Sequence, residues 1–210
     1  MPEQLTHEEV QKGQDPSVVK QYDDKTGTEE KFEDLYKIAD GQKIGMLGTY
    51  RNGIGPVSRS MAVAKRTGPD FLFLANANSK KFADLEKNVE CQVIFQNSTT
   101  QDWICVTGEA ATTSNSDPRI KEVWSKQASI WFGDLGDGKH TGGPEDPRMS
   151  LIEVKAKYIS YWKHEVSALG FMAETATAQL TGRVAQTGTL REMHEDEIKT
   201  ARSKHSTMSS

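Results

Sequence analysis

The sequence predicts a mainly antiparallel β domain with flanking helices, arranged as an open sheet or a closed barrel. About five strand-like runs between residues 43 and 113 are joined by tight turns, which is the pattern of antiparallel architectures. Asn52-Gly53 is a strong hairpin signal, and apolar residues recur at helical spacing before, among and after the strands. There is no internal repeat.

The totals bound the function classes. A chain of 210 residues suits one domain with extra segments and can bury a sizeable core. A formal net charge of -4, with no basic run interleaved with aromatics, argues against nucleic acid as a partner. No apolar stretch approaches the roughly 20 residues of a membrane span. The first residues, MPEQLTHEEV, are polar and acidic and do not form a secretory signal, so a cytoplasmic protein is expected. Cys91 and Cys105 make neither a disulfide framework nor a CxxC site. They read as reduced thiols inside strands, or as a redox pair if they face one another across a hairpin.

Residues 1–26 are polar without a sustained period and are expected to form a flexible arm. TEEKFEDLYKIADG follows, with Thr28 as a cap, Glu29 and Glu30 in the first turn, and Gly41 at the exit. Phe32, Leu35, Tyr36 and Ile38 give it an apolar face. KIGMLGTY (43–50) is a strand leading into the turn RNGIG. PVSRSMAVA (56–64) returns with Val57, Arg59, Met61 and Val63 on one face. RTGPD turns the chain, Phe71–Ala75 is a short apolar strand, and a helix runs from Ser79 to Asn88 with Phe82 and Leu85 inward. VECQVIFQ (89–96) and DWICVTGEAATT (102–113) are two further strands. Asp117-Pro118 opens a helix carrying Ile120, Val123, Trp124 and Ala128. After a Gly- and Pro-rich loop (133–148), MSLIEVKAKYISYW (149–162) is the last expected strand. Beyond Lys163 the pattern fades, and ARSKHSTMSS is expected to be disordered.

The chemistry concentrates at FLFLANANSKKFADLEKN. Ser79 is a natural N-cap, yet Lys80 and Lys81 follow it at the positive pole of the helix, where cations are mildly unfavourable. An anion between pole and lysines removes the conflict, so Ser79, Lys80 and Lys81 are candidate phosphate ligands; the bland alternative is a pair of solvated surface lysines. Arg59, in a strand of small and apolar residues, either reaches the rim or pairs with an anion, and its forked guanidinium suits phosphate. Neither Rossmann nor P-loop glycine spacing is present. His140 with Asp134, Asp137, Glu145 and Asp146 matches no metal-site spacing and reads as a flexible acidic loop, so no metal is expected. No catalytic acid, base or nucleophile stands in a recognisable setting.

The order SRSMAV, DFLFLANANSKKFADLEKN, DWICVTGEA, a helix with VW and WF, and DPRMSLIEV…YISYW resembles the FMN-binding split-barrel family related to pyridoxamine phosphate oxidase. Within it the chain resembles the general stress proteins and, through TGRVAQTGTLREMHEDEI, the blue-light-inducible proteins of filamentous fungi. The resemblance implies a six-stranded antiparallel split barrel over 27–163, with a C-terminal extension over 164–210, that forms a homodimer and binds FMN in grooves at the subunit interface. It implies Arg59 on the phosphate, the backbone of Ser60, Met61 and Ala62 along the flavin ring, and Leu74 and Ala75 on the ribityl side. It further implies Ser79, Lys80 and Lys81 at the phosphate, Lys81 being the better match, and Trp131 with Phe132 near the site. It places Trp103 at the cofactor too, where the oxidase branch often has a glutamine reaching it, a departure that removes the glutamine's hydrogen bonding to ribityl or phosphate. The substrate-binding Arg-Leu motif of that branch is missing after YWKHEVSALG, so pyridoxamine phosphate oxidation is not expected. The expectation is a stress- or light-related flavin-dependent oxidoreductase with NAD(P)H as a candidate reductant. A non-catalytic flavin store or signalling protein is the competing class, ahead of haem binding or a ligand-free interaction module.

Overall fold

The computed structural model describes residues 21–23 and 25–208, with side chains through His205. The expected arm therefore lies largely outside the described residues. Helix α1 (Thr28–Gln42) precedes the hairpin β1 (Ile44–Arg51) and β2 (Gly55–Ala62), then β3 (Lys65–Thr67), β4 (Asp70–Asn76), α2 (Lys80–Lys87), β5 (Glu90–Gln96) and β6 (Trp103–Thr112). Two short helices, α3 (Arg119–Val123) and α4 (Lys126–Ser129), lead to the long β7 (Met149–His164), followed by α5 (Ala168–Thr181), β8 (Gly188–Met193) and α6 (Glu195–Met208). No described helix is long and apolar enough to cross a membrane.

All strands belong to one antiparallel sheet in the order β2-β1-β5-β6-β7-β4-β3, with β8 also paired to β7. The sheet has 8 strands rather than the six expected. Part of the difference is a bend. Between β2 and β3, the Val63 N–H donates to Lys43 O at 2.9 Å and the Ala64 N–H to Leu72 O at 2.8 Å. The chain thus passes from pairing with β1 to pairing with β4, which joins the two ends of the sheet order into a barrel. The other addition is β8, from the segment where the sequence showed no pattern.

The interior alternation is as the sequence predicts. Leu47, Val93, Phe95, Ile104, Val106, Ile159 and Tyr161 fill the barrel, and Phe32, Leu35 and Ala39 of α1 pack on it. Gly108 sits at the β6 bulge because a Cβ there would lie 2.1 Å from the Lys155 carbonyl oxygen. Cys91 pairs with Gly108 and Cys105 with Ile94, so the two thiols are on opposite faces of the sheet and do not form the facing pair considered above. Burial pushes the Cys91 thiol up to about 12.

Three helix expectations are corrected. Gly27, not Thr28, is the N-cap of α1, and the exit is Lys43 in the left-handed region, φ 57°. The single helix expected from Asp117 is broken into α3 and α4, because Trp124 is extended and its indole N–H donates to Gly142 O at 3.0 Å. ARSKHSTMSS is helical through Met208, as the end of α6; residues 209 and 210 lie outside the described part. The reason is anchorage. Arg202 donates twice to Asp70, at 2.6 and 2.8 Å, and once to Ala156 O at 2.7 Å, while Ile198 and Ala201 are buried.

The extension is also tied in at β8. Arg191, 4% exposed, donates to Asp23 at 2.8 Å, Asp34 at 2.5 Å and the Tyr161 hydroxyl at 3.3 Å. Residues 21–23 are held here too, since Tyr22 bridges Leu190 and the Asp23 N–H donates to Leu190 O at 2.9 Å. Replacing Arg191 by Met leaves Asp23 without its cation and Asp34 with Lys163 alone, at 2.6 Å. Arg191→Met is expected to lower unfolding free energy by roughly 3–5 kcal/mol in urea titrations; an unchanged midpoint would show that the network carries no stability.

Candidate functional site

The site forms where the β1–β2 hairpin meets the start of α2. The hairpin register sets Leu47 opposite Arg59 and Thr49 opposite Val57, and closes in a three-residue turn at Arg51↔Gly55. Leu47, Thr49 and Arg51 share one face of β1 because successive side chains alternate. On β2 the same face carries Arg59, half-buried among exposed Ser58, Ser60 and Ala62. Helix α2 packs against this face and presents a buried carboxylate, Asp84, 6% exposed.

Asp84 collects most of the polar contacts. Its Oδ1 accepts from Arg51 Nε at 3.0 Å. Its Oδ2 accepts from Thr49 Oγ1 at 3.0 Å, a second Arg51 nitrogen at 3.0 Å, and Arg59 at 3.3 Å. Arg59 also donates to Leu47 O at 3.1 Å and Thr49 Oγ1 at 2.8 Å. The Arg51 bonds first, then Thr49 and the charge of both arginines, hold the Asp84 carboxyl below its ordinary value against the effect of burial. Arg59 is pulled downward, chiefly by burial and also by Arg51, with Asp84 opposing.

Lys81 is half-buried beside this cluster. Its ammonium donates to Ser79 Oγ at 2.7 Å, and Ser79 Oγ donates to Asn76 O at 2.6 Å. Ser79 occupies the N-cap position with an extended backbone, yet its side chain caps no N–H of α2. The expected cap is therefore corrected: the lysine and the Asn76 carbonyl engage the hydroxyl instead. Burial first, then the charge of Arg59, lowers the Lys81 pKa. Lys80 is exposed.

The structure thus brings together Arg59, Ser79 and Lys81. Ser60, Met61 and Ala62 continue β2 from Arg59, with Ser60 and Ala62 on the outer face. Leu74 and Ala75 lie near the end of β4, which closes at Asn76 before the turn to Ser79, and Leu74 and Phe132 both pack against a second core cluster. Arg148 donates to the carbonyls of Phe132 and Gly133, both at 2.7 Å, while its own carbonyl accepts from the Ala77 N–H at 2.8 Å. The loop carrying Trp131 therefore lies beside the turn that leads to Ser79. Trp131 is 82% exposed. Trp103 stands apart: it is on the same outer face as Ala62 but on β6, three strands away, about 14 Å by ordinary strand spacing.

Sequence reasoning missed Thr49, Arg51 and Asp84. The first two were within reach, since the Asn52-Gly53 turn and the two-residue period put them on the same face as Arg59. Asp84 gave no signal, because a carboxylate in an amphipathic helix ordinarily faces water.

Three comparisons bear on this arrangement. The profile of the family described as pyridoxamine 5'-phosphate oxidase like matches residues 30–186. The chain is 36% identical over 194 residues to Protein bli-3 of Neurospora crassa, covering 91% of this chain and 92% of that one. Among solved structures, General Stress Protein 26 from Bacillus anthracis superposes with a TM-score of 0.54 at 26% identity, over 63% of this chain and 93% of that one. A pyridoxamine 5'-phosphate oxidase-related, FMN-binding protein from Nostoc punctiforme superposes with a TM-score of 0.51 at 12% identity, over 69% and 94% of the two chains. That last likeness is one of fold.

The contribution of Asp84 to stability follows its ionisation. Its folded pKa lies below the unfolded value near 3.9. The contribution is therefore complete above the unfolded pKa and is lost as pH falls through the folded one. The stability gap between wild type and Asp84→Asn is expected to be constant above about pH 5 and to shrink on acidification. A gap independent of pH down to about 2 would contradict the pairing.

Proposed function

The chain belongs to the pyridoxamine 5'-phosphate oxidase-like family, and from this premise we propose that it binds FMN through the Arg59–Lys81 cluster and serves as a stress-related flavin-dependent oxidoreductase. The observation that carries the reading is the charge balance. Arg51 and Arg59 pair with one carboxylate, Asp84, and Lys81 lies beside Arg59, leaving a surplus of two positive charges. A phosphate monoester near pH 7 supplies between about -1.5 and -2.

The residues fit such a group. Arg59 has five N–H donors, of which three are in the bonds given above. Lys81 is a half-buried cation whose one bond is to a hydroxyl, and α2 directs uncapped N–H groups to the same end. When bound, the flavin ring supplies hydride and single-electron transfer. The protein's part is to hold the phosphate, to orient the ring along Ser60–Ala62 and to keep water from it.

A homodimer belongs to the same proposal. The outer face of β1 exposes Ile44 at 57%, Met46 at 42% and Tyr50 at 48%, beside Ser60 and Ala62. A second copy on this face would cover both the apolar side chains and the ring. Trp103 could then reach the ring held by the partner but not the one held by its own chain. The stress-related role rests on the likeness to General Stress Protein 26.

Lys81→Ala separates binding from folding, because Lys81 is outside the Asp84 ion pairs. Loss of one charge-assisted bond, roughly 1.5–3 kcal/mol, should weaken FMN binding about 10- to 150-fold with the unfolding midpoint unchanged. Titration of FMN fluorescence measures this; equal affinity would return Lys81 to the status of a surface lysine. The absorbance spectrum of the purified protein should show flavin rather than haem bands. Anaerobic bleaching of the FMN complex by NADH or NADPH would establish turnover, and no bleaching with either would favour a storage or signalling role.

A further inference from the structure

Helix α5 is apolar on both sides. On its inner side Ala178 is buried, 7% exposed, and the Phe171 ring centroid is 5.9 Å from that of His164 at the end of β7. Its outer side carries Leu169, Met172, Ala173, Ala176 and Leu180 in one stripe, all exposed, with Leu169 at 78%, Met172 at 68% and Leu180 at 88%. A surface helix ordinarily turns charge outward. Here the one charged residue, Glu174, is turned inward and accepts from Arg183 at 2.5 and 2.7 Å and from the Gln186 N–H at 2.9 Å.

The helix is well fixed. Ser167 caps it by accepting from the Gly170 N–H at 3.2 Å, and Gly182 ends it in the left-handed region, φ 70°. The hydroxyls of Thr177 and Thr181, which flank the stripe, donate to carbonyls one turn back, at 2.8 and 2.7 Å. The stripe therefore offers neither charge nor hydroxyl donors to a partner, and α5 has no Lys or Arg to attract lipid headgroups.

We propose that this stripe pairs with the same stripe of a second copy, antiparallel and about a two-fold axis. Four of its five residues form a palindrome, while Met172 meets Thr177 of the mate. Leu169 and Leu180, and within them Ala173 and Ala176, are symmetric about the point between Glu174 and Thr175. An antiparallel mate sets each Leu169 against the other copy's Leu180 and brings the alanines together at the centre, where small side chains permit close approach of the backbones. A parallel mate gains nothing from that symmetry. Pressing the stripes together removes on the order of 800–1,000 Å², less than the roughly 1,200 Å² at which stable interfaces begin, so the pair reinforces copies already held together elsewhere.

The α5 pairing rests on the homodimer proposed above; disulfide trapping reads the α5 contact itself, and light scattering of the untrapped protein shows separately whether that homodimer forms. In a Cys105→Ser background, copies carrying Ala173→Cys mixed with copies carrying Ala176→Cys are expected to give a covalent dimer on mild oxidation; both cysteines in one chain would instead close within the helix, three residues apart. Adding Leu169→Glu/Leu180→Glu should abolish it by like-charge repulsion. Adding Leu169→Lys/Leu180→Glu instead should restore it at low salt, since an antiparallel mate sets each lysine against a glutamate. Absence of a covalent dimer in the parent, or equal trapping in all three variants, overturns the proposal. So does restoration failing with the Lys/Glu variant, or capture of the parent on phosphatidylcholine vesicles without trapping.

Discussion

The structure of the site depends on one buried carboxylate. Asp84 is a charge taken out of water, which is tolerable only with full compensation. Thr49, Arg51 and Arg59 supply it from two strands, so a single side chain fixes α2 against the β1–β2 hairpin. Because α2 is short, fixing Asp84 also fixes its first turn, where Lys81 lies one turn earlier on the same side. The position of the surplus positive charge is thus set by an anion, and the cluster could not be built from the cations alone without severe repulsion.

A second set of ion pairs does for the extension what Asp84 does for the hairpin. Arg191 joins β8 to Asp23 and Asp34, and Arg202 joins α6 to Asp70 at the start of β4. Each arginine enters from the extension and each acid belongs to an earlier segment. The apolar contribution of Met193, Ile198 and Ala201 to the main core completes the attachment. The residues after β7 are part of the sheet and the core rather than an appendage, and α5 is held between the two anchored ends with its outer stripe bare.

How much of this was legible follows from the range of the interactions. Strands β1, β2 and β4–β7, the β1–β2 hairpin and α2 were readable because two-residue alternation, Asn52-Gly53 and a lysine-led amphipathic turn are local signals, whereas the three-residue β3 was read as part of the RTGPD turn. The gathering of Arg59 with Ser79 and Lys81 was readable because each was chemically odd in its own element. β8 was not, because GTLREM has no clean alternation; it is a strand by virtue of pairing with β7 and of the partners Arg191 finds far away in sequence. The helical end of α6 was hidden in the same way, since Arg202 in a polar tail gives no hint of Asp70. The α3–α4 break was invisible because it depends on a carbonyl, that of Gly142, which the indole of Trp124 reaches across a loop.

The start of α2 shows why the oddities are better read together than singly. A cation at a positive helix pole is a small local penalty, and a serine at the N-cap position that caps nothing is another. Either alone is unremarkable. Here the same hydroxyl that declines to cap is held by the ammonium of Lys81, and that ammonium is half-buried with Arg59 as its charged neighbour. The exposed Lys80 has no such constraint. Sequences satisfy local rules unless something else compensates, and violations gathered at one point are expected at functional or strained sites. An anion accepting from Arg59, Lys81 and the uncapped amides of α2 would resolve all of them at once, which a solvated surface pair of lysines does not.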